Sequence, residues 1–317
     1  MIDFTKAFDL VDHPILLSKL AGFGLPDRAM NWIISDLTGR TQILKCNGVF
    51  SSSAEINTSI VQGSGLGPML YVVMESDLHT LSVMNILVKY ADDTNLLVPS
   101  DSDLDLVDEF INIKQWSSEN KMQINFQKTK EIVFRRPNPK LIIYPPPLDQ
   151  IDQVPFAKLL GVTLDQALRF DMHIKNTLKL CSQRFYLLKL LRDQGLPSHH
   201  LNTVFHALII SRLQYALPAW SGFLSAELSG RVNSVLKRVF NYRFTTVKHS
   251  IETLASDTDK TLFDKIVNEQ HCLHSLLPAL KTYCSHLRPK GHSFELPRCT
   301  FELHKKSFIP RCLFKFI

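Results

Sequence analysis

The sequence predicts an α+β region followed by an α-helical bundle. Short runs rich in β-branched and aromatic residues alternate with helical patterns as far as residue 157. Beyond Asp165, long amphipathic segments follow one another and strand-like runs are scarce. The charge changes at the same place: residues 1–157 carry 13 basic and 19 acidic side chains, whereas residues 158–248 carry 13 basic and four acidic ones.

These changes divide the chain into three predicted parts, residues 1–157, 158–248 and 249–317. The composition, with 45% hydrophobic and 21% charged residues, excludes disordered and collagen-like proteins. No apolar run approaches the roughly 18 residues that span a bilayer, and the first residues do not have the pattern of a secretory signal. Six cysteines without a CxxC pair indicate free thiols. We therefore expect an intracellular protein, nuclear or cytoplasmic, that does not contact membranes; its oligomeric state is left open.

Turn and breaker signals define the elements of the first part. Prolines stand at the predicted helix starts, and Gly22 and Gly39 follow the helix ends. Ala91-Asp92-Asp93 lies between two strand-like runs and is typical of a tight hairpin. Pro145-Pro146-Pro147 is interpreted as a stiff connector, with a peptide-recognition ligand as the alternative. In chain order we predict helices over 14–20 and 26–37, a strand over 40–46, a helix over 69–78, strands over 85–90 and 94–98, a helix over 101–120 capped by Asp101 or Ser102, and a strand pair over 132–134 and 141–144.

The second and third parts differ in regularity. Helices are predicted over 171–192, 198–216 and 226–242, separated by breakers at Gly195-Leu196-Pro197 and Trp220-Ser221-Gly222. The basic charge of this bundle suits a polyanion, and the alternative is an ordinary solvated helix surface. Residues 249–317 contain four prolines and are expected to be partly loop. A loose group of histidines and cysteines there fits no zinc-finger spacing, so we expect no zinc site at His271, Cys272, His274, Cys284 and His286.

Three short segments carry the chemistry. Asp3 ends an apolar strand, a glycine-rich turn spans Gln62-Gly63-Ser64-Gly65-Leu66-Gly67-Pro68, and Tyr90-Ala91-Asp92-Asp93 forms the predicted hairpin. Two-metal phosphoryl or nucleotidyl transfer needs carboxylates from different strands around a pair of Mg²⁺ ions. Asp3 with the two hairpin aspartates meets that need. Taken singly each segment has a simpler interpretation, since Asp-Asp pairs and glycine-rich stretches are common in turns.

In this order the segments resemble the palm blocks of reverse transcriptases, specifically those of non-LTR (LINE, jockey-like) retrotransposons. The similarity continues through Ile124-Asn125-Phe126-Gln127-Lys128-Thr129-Lys130 and Lys158-Leu159-Leu160-Gly161-Val162-Thr163-Leu164-Asp165. It extends to Leu213-Gln214-Tyr215-Ala216-Leu217-Pro218-Ala219-Trp220 and Ser307-Phe308-Ile309-Pro310, and so covers nearly the whole chain. The resemblance implies an α+β fold of the right-hand polymerase type, with an antiparallel palm sheet backed by helices over 1–157, a helical thumb over 158–248 and a tail over 249–317.

The resemblance also implies an RNA-directed DNA polymerase. Asp3, Asp92 and Asp93 would bind two Mg²⁺ ions, with Mn²⁺ as an alternative, and would be catalytic. The 3′-hydroxyl of a primer would attack the α-phosphate of an incoming dNTP. The implied partners are an RNA template, a DNA primer and dNTPs, with the basic thumb holding the duplex through its phosphates.

Further positions take roles from the same resemblance. Phe8 would exclude a ribose 2′-hydroxyl, and Gln62 and Gly63 would lie beside the nucleotide and template. Lys128 would be catalytic by protonating the leaving pyrophosphate, and Leu160-Gly161 would hold the primer end. A core phenylalanine and a surface lysine are the alternatives for Phe8 and Lys128.

The sequence departs from the family pattern in places. Because Asp3 stands so near the first residue, we expect the polymerase fingers and the endonuclease domain to be missing and the chain to be a truncated copy. Glu75, Ser76 and Gly65 replace residues of other types and indicate relaxed selection. Two other functions stay open: a non-catalytic nucleic-acid-binding remnant of a decayed element, and an RNA-dependent RNA polymerase or intron maturase.

Overall fold

The computed structural model describes residues 1–136, 144–281 and 291–316. The chain divides into two compact units: one contains Met1–Val133 with Asn138–Leu160, and the other contains Phe134–Pro137 with Gly161–Ile317. In the described ranges, no helix combines the length and the apolar character needed to cross a bilayer. Mixed helix and strand content characterises the first unit and helices dominate the second, as the sequence predicts.

The first unit is built from short strands around one small central sheet. In chain order its elements are β1 (Ile2–Asp3), α1 (His13–Ala21), α2 (Asp27–Leu37), β2 (Arg40–Gln42), β3 (Lys45–Cys46), β4 (Val49–Phe50), β5 (Ala54–Ile56), α3 (Gly67–Met74), β6 (Ile86–Tyr90), β7 (Asp93–Leu97), α4 (Leu106–Glu119), β8 (Lys130–Glu131), β9 (Asp152–Gln153) and β10 (Phe156–Leu159).

The central sheet has the strand order β1-β7-β6 and is antiparallel. Its register pairs Ile2 with Thr94 and Asp3 with Asp93. The remaining pairs of this unit are peripheral: β2 with β5, β3 with β4, and β8 in parallel with β9. The sheet therefore brings the start of the sequence beside a hairpin about ninety residues later.

Helices α1, α3 and α4 contribute most of the hydrophobic core beside this sheet. Helix α1 begins where the Asp12 side chain accepts a hydrogen bond from the Ile15 backbone N–H, 3.2 Å away, which satisfies one of the free donors of the first turn. It ends before Gly22, as predicted. The core of this unit centres on the buried side chains of Leu16, Leu20, Leu70, Tyr71, Met74, Leu78, Phe110, Ile113 and Trp116.

The second unit consists mainly of helices around a second hydrophobic core. Its elements are β11 (Val162–Asp165), α5 (Asp171–Asp193), α6 (Ser198–Phe205), α7 (Ser211–Gln214), α8 (Leu217–Trp220), α9 (Ala226–Asn241), α10 (Ile251–Ile266), α11 (Glu302–Lys306) and α12 (Phe308–Lys315). A single π-helical turn, His206–Ile210, joins α6 to α7, so the helix predicted over 198–216 is continuous as far as Gln214. Trp220 and Phe244 are fully buried in this core, and Ile251 and Leu254 of α10 join it.

A buried ion pair connects α12 to α10 in the second unit. The Arg311 guanidinium donates to both carboxylate oxygens of Asp259 on α10, at 3.0 and 2.8 Å. It also donates to the Pro218 carbonyl oxygen at 2.8 Å. Asp259 is 1% exposed, so its charge is stabilised by this fork of donors and not by water.

Some element predictions were wrong. The helix predicted over 69–78 ends at Met74, and the strand predicted over 40–46 is interrupted after Gln42. Asp105, not Asp101 or Ser102, caps α4 by accepting from the backbone N–H groups of Val107 and Asp108. Residues 132–134 form no strand, and residues 141–143 of the proposed partner lie outside the described ranges.

The third predicted part is more regular than expected. Helix α10 runs through 16 residues of a segment expected to be partly loop. Ser250 and Thr253 form a reciprocal capping box at its start, which satisfies two backbone N–H groups. Of the histidine and cysteine group, Cys284 and His286 lie outside the described residues.

Candidate active site

The three predicted metal-binding aspartates come together at one end of the central sheet. Asp3 is the last residue of β1, and its partner across the antiparallel pair is Asp93, the first residue of β7. Tyr90 pairs with Asp93, so Ala91 and Asp92 form the two-residue loop between β6 and β7. Directly opposite residues have Cβ atoms about 5 Å apart, so two like charges meet here. The sheet thus places Asp3 opposite Asp93, with Asp92 next to Asp93 in the chain.

The turn between the hairpin strands has a backbone shape that few residues favour. Ala91 has φ +50°, in the left-handed region where a Cβ atom crowds the following carbonyl oxygen. A residue held there costs about 1 kcal/mol or more, and such strain is found often at functional sites. This conformation projects Asp92 from the tip of the loop, where it is exposed.

The 124–130 segment fixes the position of Asp3. The Asp3 backbone N–H donates to Thr129 Oγ1 at 3.2 Å, and the Asp3 carbonyl oxygen accepts from the Asn125 N–H at 2.8 Å. Thr129 is 2% exposed, so this support is shielded from water. The block at residues 124–130, which was identified by resemblance, therefore packs beside Asp3 and supports its backbone.

The electrostatics of the cluster show excess negative charge. The pKa of Asp93 is raised, first by burial and then by the charges of Asp92 and Asp3. The Asp3 Oδ1 atom is buried and has no hydrogen-bond partner among the described residues. An unpartnered carboxylate oxygen beside two like charges is the kind of group that a cation would stabilise.

A buried tyrosine and glutamate lie close to the aspartates. Tyr71 and Glu75 are four residues apart on and just after α3, and the Tyr71 hydroxyl donates to Glu75 Oε1 at 2.8 Å. Burial raises the pKa of Glu75 to about 7, while the Tyr71 hydrogen bond lowers it and the Asp92 charge raises it. Burial likewise raises the pKa of Tyr71, with Glu75, Asp92 and Asp3 adding to the rise. Tyr71 was missed in the sequence; its spacing of four from a glutamate in an apolar helix was the available signal.

The predicted nucleotide-binding residues lie in this unit on elements that contact one another. The half-buried ring of Phe8 stacks on Tyr71, with ring centroids 4.7 Å apart and planes at 16°. The Phe8 carbonyl oxygen accepts from the Ile60 N–H at 2.9 Å, which connects it to the residues just before the glycine-rich turn. In that turn Gln62 Nε2 donates to Asp9 Oδ1 at 3.0 Å, and Gly63 adopts φ +85°, which suits glycine.

Lys128 stands apart from the aspartates in the described geometry. Its side chain is exposed, and its backbone N–H donates to Asn125. No ion pair connects Lys128 with the aspartates in the described ranges. Its neighbour Thr129, in contrast, bonds directly to the Asp3 backbone.

The side chains of the aspartates do not form a ready-made metal cage. Within the residues that the structure describes, no set of three or more His, Cys, Asp or Glu side chains has metal-holding geometry. Mg²⁺ does not require such a cage, because it commonly takes one or two carboxylates and completes its shell with water and substrate phosphates. The unpartnered Asp3 oxygen and the adjacent hairpin aspartates fit that kind of partial site.

The second unit presents cations beside aromatic rings on α5, α9 and the following turn. Lys189 Nζ lies 4.8 Å from the centre of the Tyr242 ring, and the Arg238 guanidinium lies 5.8 Å from Phe185. Between residues 161 and 248, all of which the structure describes, one ion pair is formed, and it joins Arg192 to Asp193. Most of the basic side chains in this region therefore keep their charge available for a polyanion.

Comparison with known proteins identifies the family of the first half of the chain. Residues 1–164 match the family described as reverse transcriptase (RNA-dependent DNA polymerase). The chain is 30% identical over 206 residues to a probable RNA-directed DNA polymerase from transposon BS of Drosophila melanogaster, covering 61% of the chain and 23% of that protein. It is 32% identical over 195 residues to the RNA-directed DNA polymerase from mobile element jockey of the same organism, covering 55% and 20%.

A third relative extends the match further along the chain. The chain is 27% identical over 252 residues to a probable RNA-directed DNA polymerase from transposon X-element of Drosophila melanogaster, covering 75% of the chain and 27% of that protein. The matches therefore span only 20% to 27% of the length of these three relatives. The family match covers more than half of the chain and includes Asp3, Asp92 and Asp93. The chain belongs to the reverse transcriptase family, with relatives in jockey-like and other non-LTR retrotransposons.

Proposed function

We propose that this chain provides the polymerase centre of an RNA-directed DNA polymerase from a non-LTR retrotransposon. The observation that carries the proposal is the pairing of Asp3 with Asp93 across β1 and β7, with Asp92 in the loop between the hairpin strands. Residues 1–157 act as the palm, residues 158–248 as the thumb and residues 249–317 as the tail. The partners are an RNA template, a DNA primer and dNTPs.

In this proposal Asp3, Asp92 and Asp93 hold divalent metal ions, Mg²⁺ or Mn²⁺. When bound, these ions supply positive charge that neutralises the phosphates and activates the primer hydroxyl. The unpartnered Asp3 Oδ1 and the raised pKa of Asp93 support the assignment, because a cation relieves the repulsion among the carboxylates. The Asp3 backbone is held by Thr129 and Asn125, so the position of this residue is fixed before substrate binds.

The remaining residues orient the substrates and handle the proton. The primer 3′-hydroxyl attacks the α-phosphate of the dNTP, and pyrophosphate leaves. Lys128 donates a proton to the pyrophosphate after its side chain turns toward the site. Phe8 meets the sugar at the position of a ribose 2′-hydroxyl, and Gln62 and Gly63 line the path of the nucleotide and template.

The basic helical unit binds the template and primer through their phosphates. Lys189, Arg192 and Arg238 lie beside aromatic rings, and between residues 161 and 248 only Arg192 has an acidic partner. We expect the affinity for an RNA/DNA duplex to fall steeply as salt rises, because binding releases counterions from the nucleic acid.

A second candidate is a nucleic-acid-binding protein without polymerase activity. It is favoured by the geometry of the aspartate side chains, which do not form a three-ligand group in the described ranges. Such a protein would bind the duplex with the same salt dependence and would not extend a primer.

Primer extension on an RNA template tests the proposal. The unmutated chain is expected to incorporate dNTPs with Mg²⁺ or Mn²⁺. Asp3→Asn and Asp92→Asn should each lower the rate of dNTP incorporation at least about a hundredfold. Asp108→Asn, which changes an exposed carboxylate on α4, is the control and should retain the rate. Duplex binding without any extension by the unmutated chain would favour the second candidate.

A further inference from the structure

We infer that Tyr71 and Glu75 form a positioning pair that holds the ring of Phe8 in place and thereby sets how strongly the site rejects ribonucleotides. The inference rests on the proposed function, because it takes Phe8 as the residue that meets the sugar. It adds a role for two buried residues that do not themselves contact the nucleotide.

The first support is the stacking of Phe8 on Tyr71. The ring centroids are 4.7 Å apart and the planes are inclined by 16°, so the two rings lie nearly parallel. Tyr71 is fully buried, whereas Phe8 keeps part of its surface exposed. One face of the Phe8 ring is therefore covered by a residue that cannot move into solvent, and the position of Phe8 follows that of Tyr71.

The second support is the bond that fixes Tyr71. Its hydroxyl donates to Glu75 Oε1 at 2.8 Å inside the core, and Glu75 is 2% exposed. Residues four apart in a helix share one face, so the pair forms without backbone distortion. Rotation or sliding of the Tyr71 ring would break a hydrogen bond that water cannot replace. This bond therefore restrains the surface on which Phe8 rests.

The third support is the way the end of α3 is tied to its neighbours. Lys89 of β6 donates to the carbonyl oxygens of Glu75 and Leu78, at 2.5 and 3.1 Å. Lys19 of α1 donates to the Met74 carbonyl oxygen at 2.6 Å. Cations at a helix C-terminus are favoured by the helix dipole and satisfy its free carbonyl groups. Lys89 also connects α3 to the strand that leads into the Asp92 loop.

A rigid support matters because sugar discrimination depends on a small steric difference. A deoxyribose and a ribose differ by one hydroxyl, and a ring that yields by a fraction of an ångström accommodates it. Because Tyr71 supports the Phe8 ring and Glu75 restrains Tyr71, the Phe8 ring cannot shift to make room for the hydroxyl. Loosening the pair should therefore admit ribonucleotides while leaving dNTP use nearly intact.

The test measures incorporation of a single nucleotide by the full chain. The quantity compared is the selectivity ratio, which is kcat/KM for a dNTP divided by kcat/KM for the matching rNTP. Tyr71→Phe keeps the stacked ring and removes the hydroxyl, and Glu75→Leu removes the acceptor. Each should lower the ratio about three- to tenfold, mainly through a better KM for the rNTP. Glu75→Gln keeps an acceptor oxygen and should retain the unmutated ratio, as should Tyr186→Phe, which removes an exposed hydroxyl in the second unit.

Two reference measurements separate the possible failures. Phe8→Ala should lower the ratio more than tenfold. With 4-fluorophenylalanine at position 8, the ¹⁹F NMR signal reports the environment of this ring, and it should be broader or shifted in Tyr71→Phe and Glu75→Leu compared with the folded unmutated chain. An unchanged ratio and signal in both variants, beside a collapsed ratio in Phe8→Ala, would overturn this inference alone. An unchanged ratio in Phe8→Ala, or no incorporation by the unmutated chain, would overturn the proposed function and this inference with it.

Discussion

Replacing Glu75 by glutamine should change how the stability of the first unit depends on pH. Glu75 is buried, is affected by the charge of Asp92, and accepts a hydrogen bond from Tyr71. Glutamine has nearly the same shape and keeps an acceptor oxygen, but it does not titrate. The substitution therefore isolates the free energy of ionising this one carboxyl group.

The magnitude follows from the pKa of Glu75, which burial raises from the ordinary value of 4.5 to about 7. Between these two values the folded chain keeps a proton that the unfolded chain releases, so the free energy of unfolding falls as pH rises. Each pKa unit corresponds to about 1.4 kcal/mol, which gives a loss of about 3 kcal/mol that is complete above pH 7. Glu75→Gln avoids this loss.

Urea unfolding from pH 4 to pH 8.5, in the presence of a chelator, measures the difference. Glu75→Gln and the unmutated chain should be about equally stable near pH 4, and the variant should be more stable by about 3 kcal/mol near pH 8. Glu119→Gln, at an exposed carboxyl on α4, should follow the unmutated chain across the range. A difference that changes by less than about 1 kcal/mol between pH 4 and pH 8 would refute the reasoning.

Three further predictions concern packing and thiol chemistry. Gly67→Ala should destabilise the first unit by about 1–3 kcal/mol in urea unfolding, because the new Cβ would lie 2.9 Å from a backbone oxygen. Gly65 has open space around it, so Gly65→Ala should change stability by less than about 1 kcal/mol, and equal effects of the two substitutions would contradict the prediction. Burial raises the pKa of Cys312 to about 12, so a thiol reagent at pH 8 should label this cysteine only when the protein unfolds. Cys46 is exposed and should be labelled quickly, and equal labelling rates for the two cysteines would contradict the packing of α12. Arg311→Met should cost about 3–5 kcal/mol in thermal or urea unfolding because it leaves a buried carboxylate unpaired, and a loss under about 1 kcal/mol would show that the pair is not buried in solution.

The Asp92 hairpin was predictable because its signals are local. Alternating strand-like runs flank a two-residue loop, and both strands form within one residue of the predicted bounds. Asp3 as the partner of this hairpin was suggested only by the resemblance to a family. Its pairing joins residues about ninety positions apart, and no local pattern specifies such a contact.

Helix starts show why sequence signals alone are ambiguous. Asp101, Asp103 and Asp105 precede α4, and each is a good capping residue. The structure selects Asp105 because the preceding residues bond elsewhere: Ser102 Oγ donates to Asn85, and Ser82 Oγ donates to Asp103. These tertiary bonds engage the side chains of Ser102 and Asp103, which are then not available to cap the helix.

Helix α10 was missed because the segment was judged by its four prolines, all of which follow the helix, and because the composition of the helix gives only a weak helical signal. Its middle contains Asp257, Thr258 and Asp259, which have low helix propensity. The helix forms because Ile251 and Leu254 are buried against the second core and Asp259 meets Arg311. Tertiary packing thus outweighs propensity in this segment.

Binding of Mn²⁺ to the full chain, followed by electron paramagnetic resonance in the presence of an RNA/DNA duplex and a non-reactive dNTP analogue, tests the central claim most directly. The unmutated chain should bind Mn²⁺, Asp3→Asn and Asp92→Asn should each weaken binding at least about tenfold, and Asp108→Asn should bind as the unmutated chain does. Equal Mn²⁺ binding by all four proteins, or none by the unmutated chain, would contradict the assignment of the aspartate cluster as the metal-binding centre.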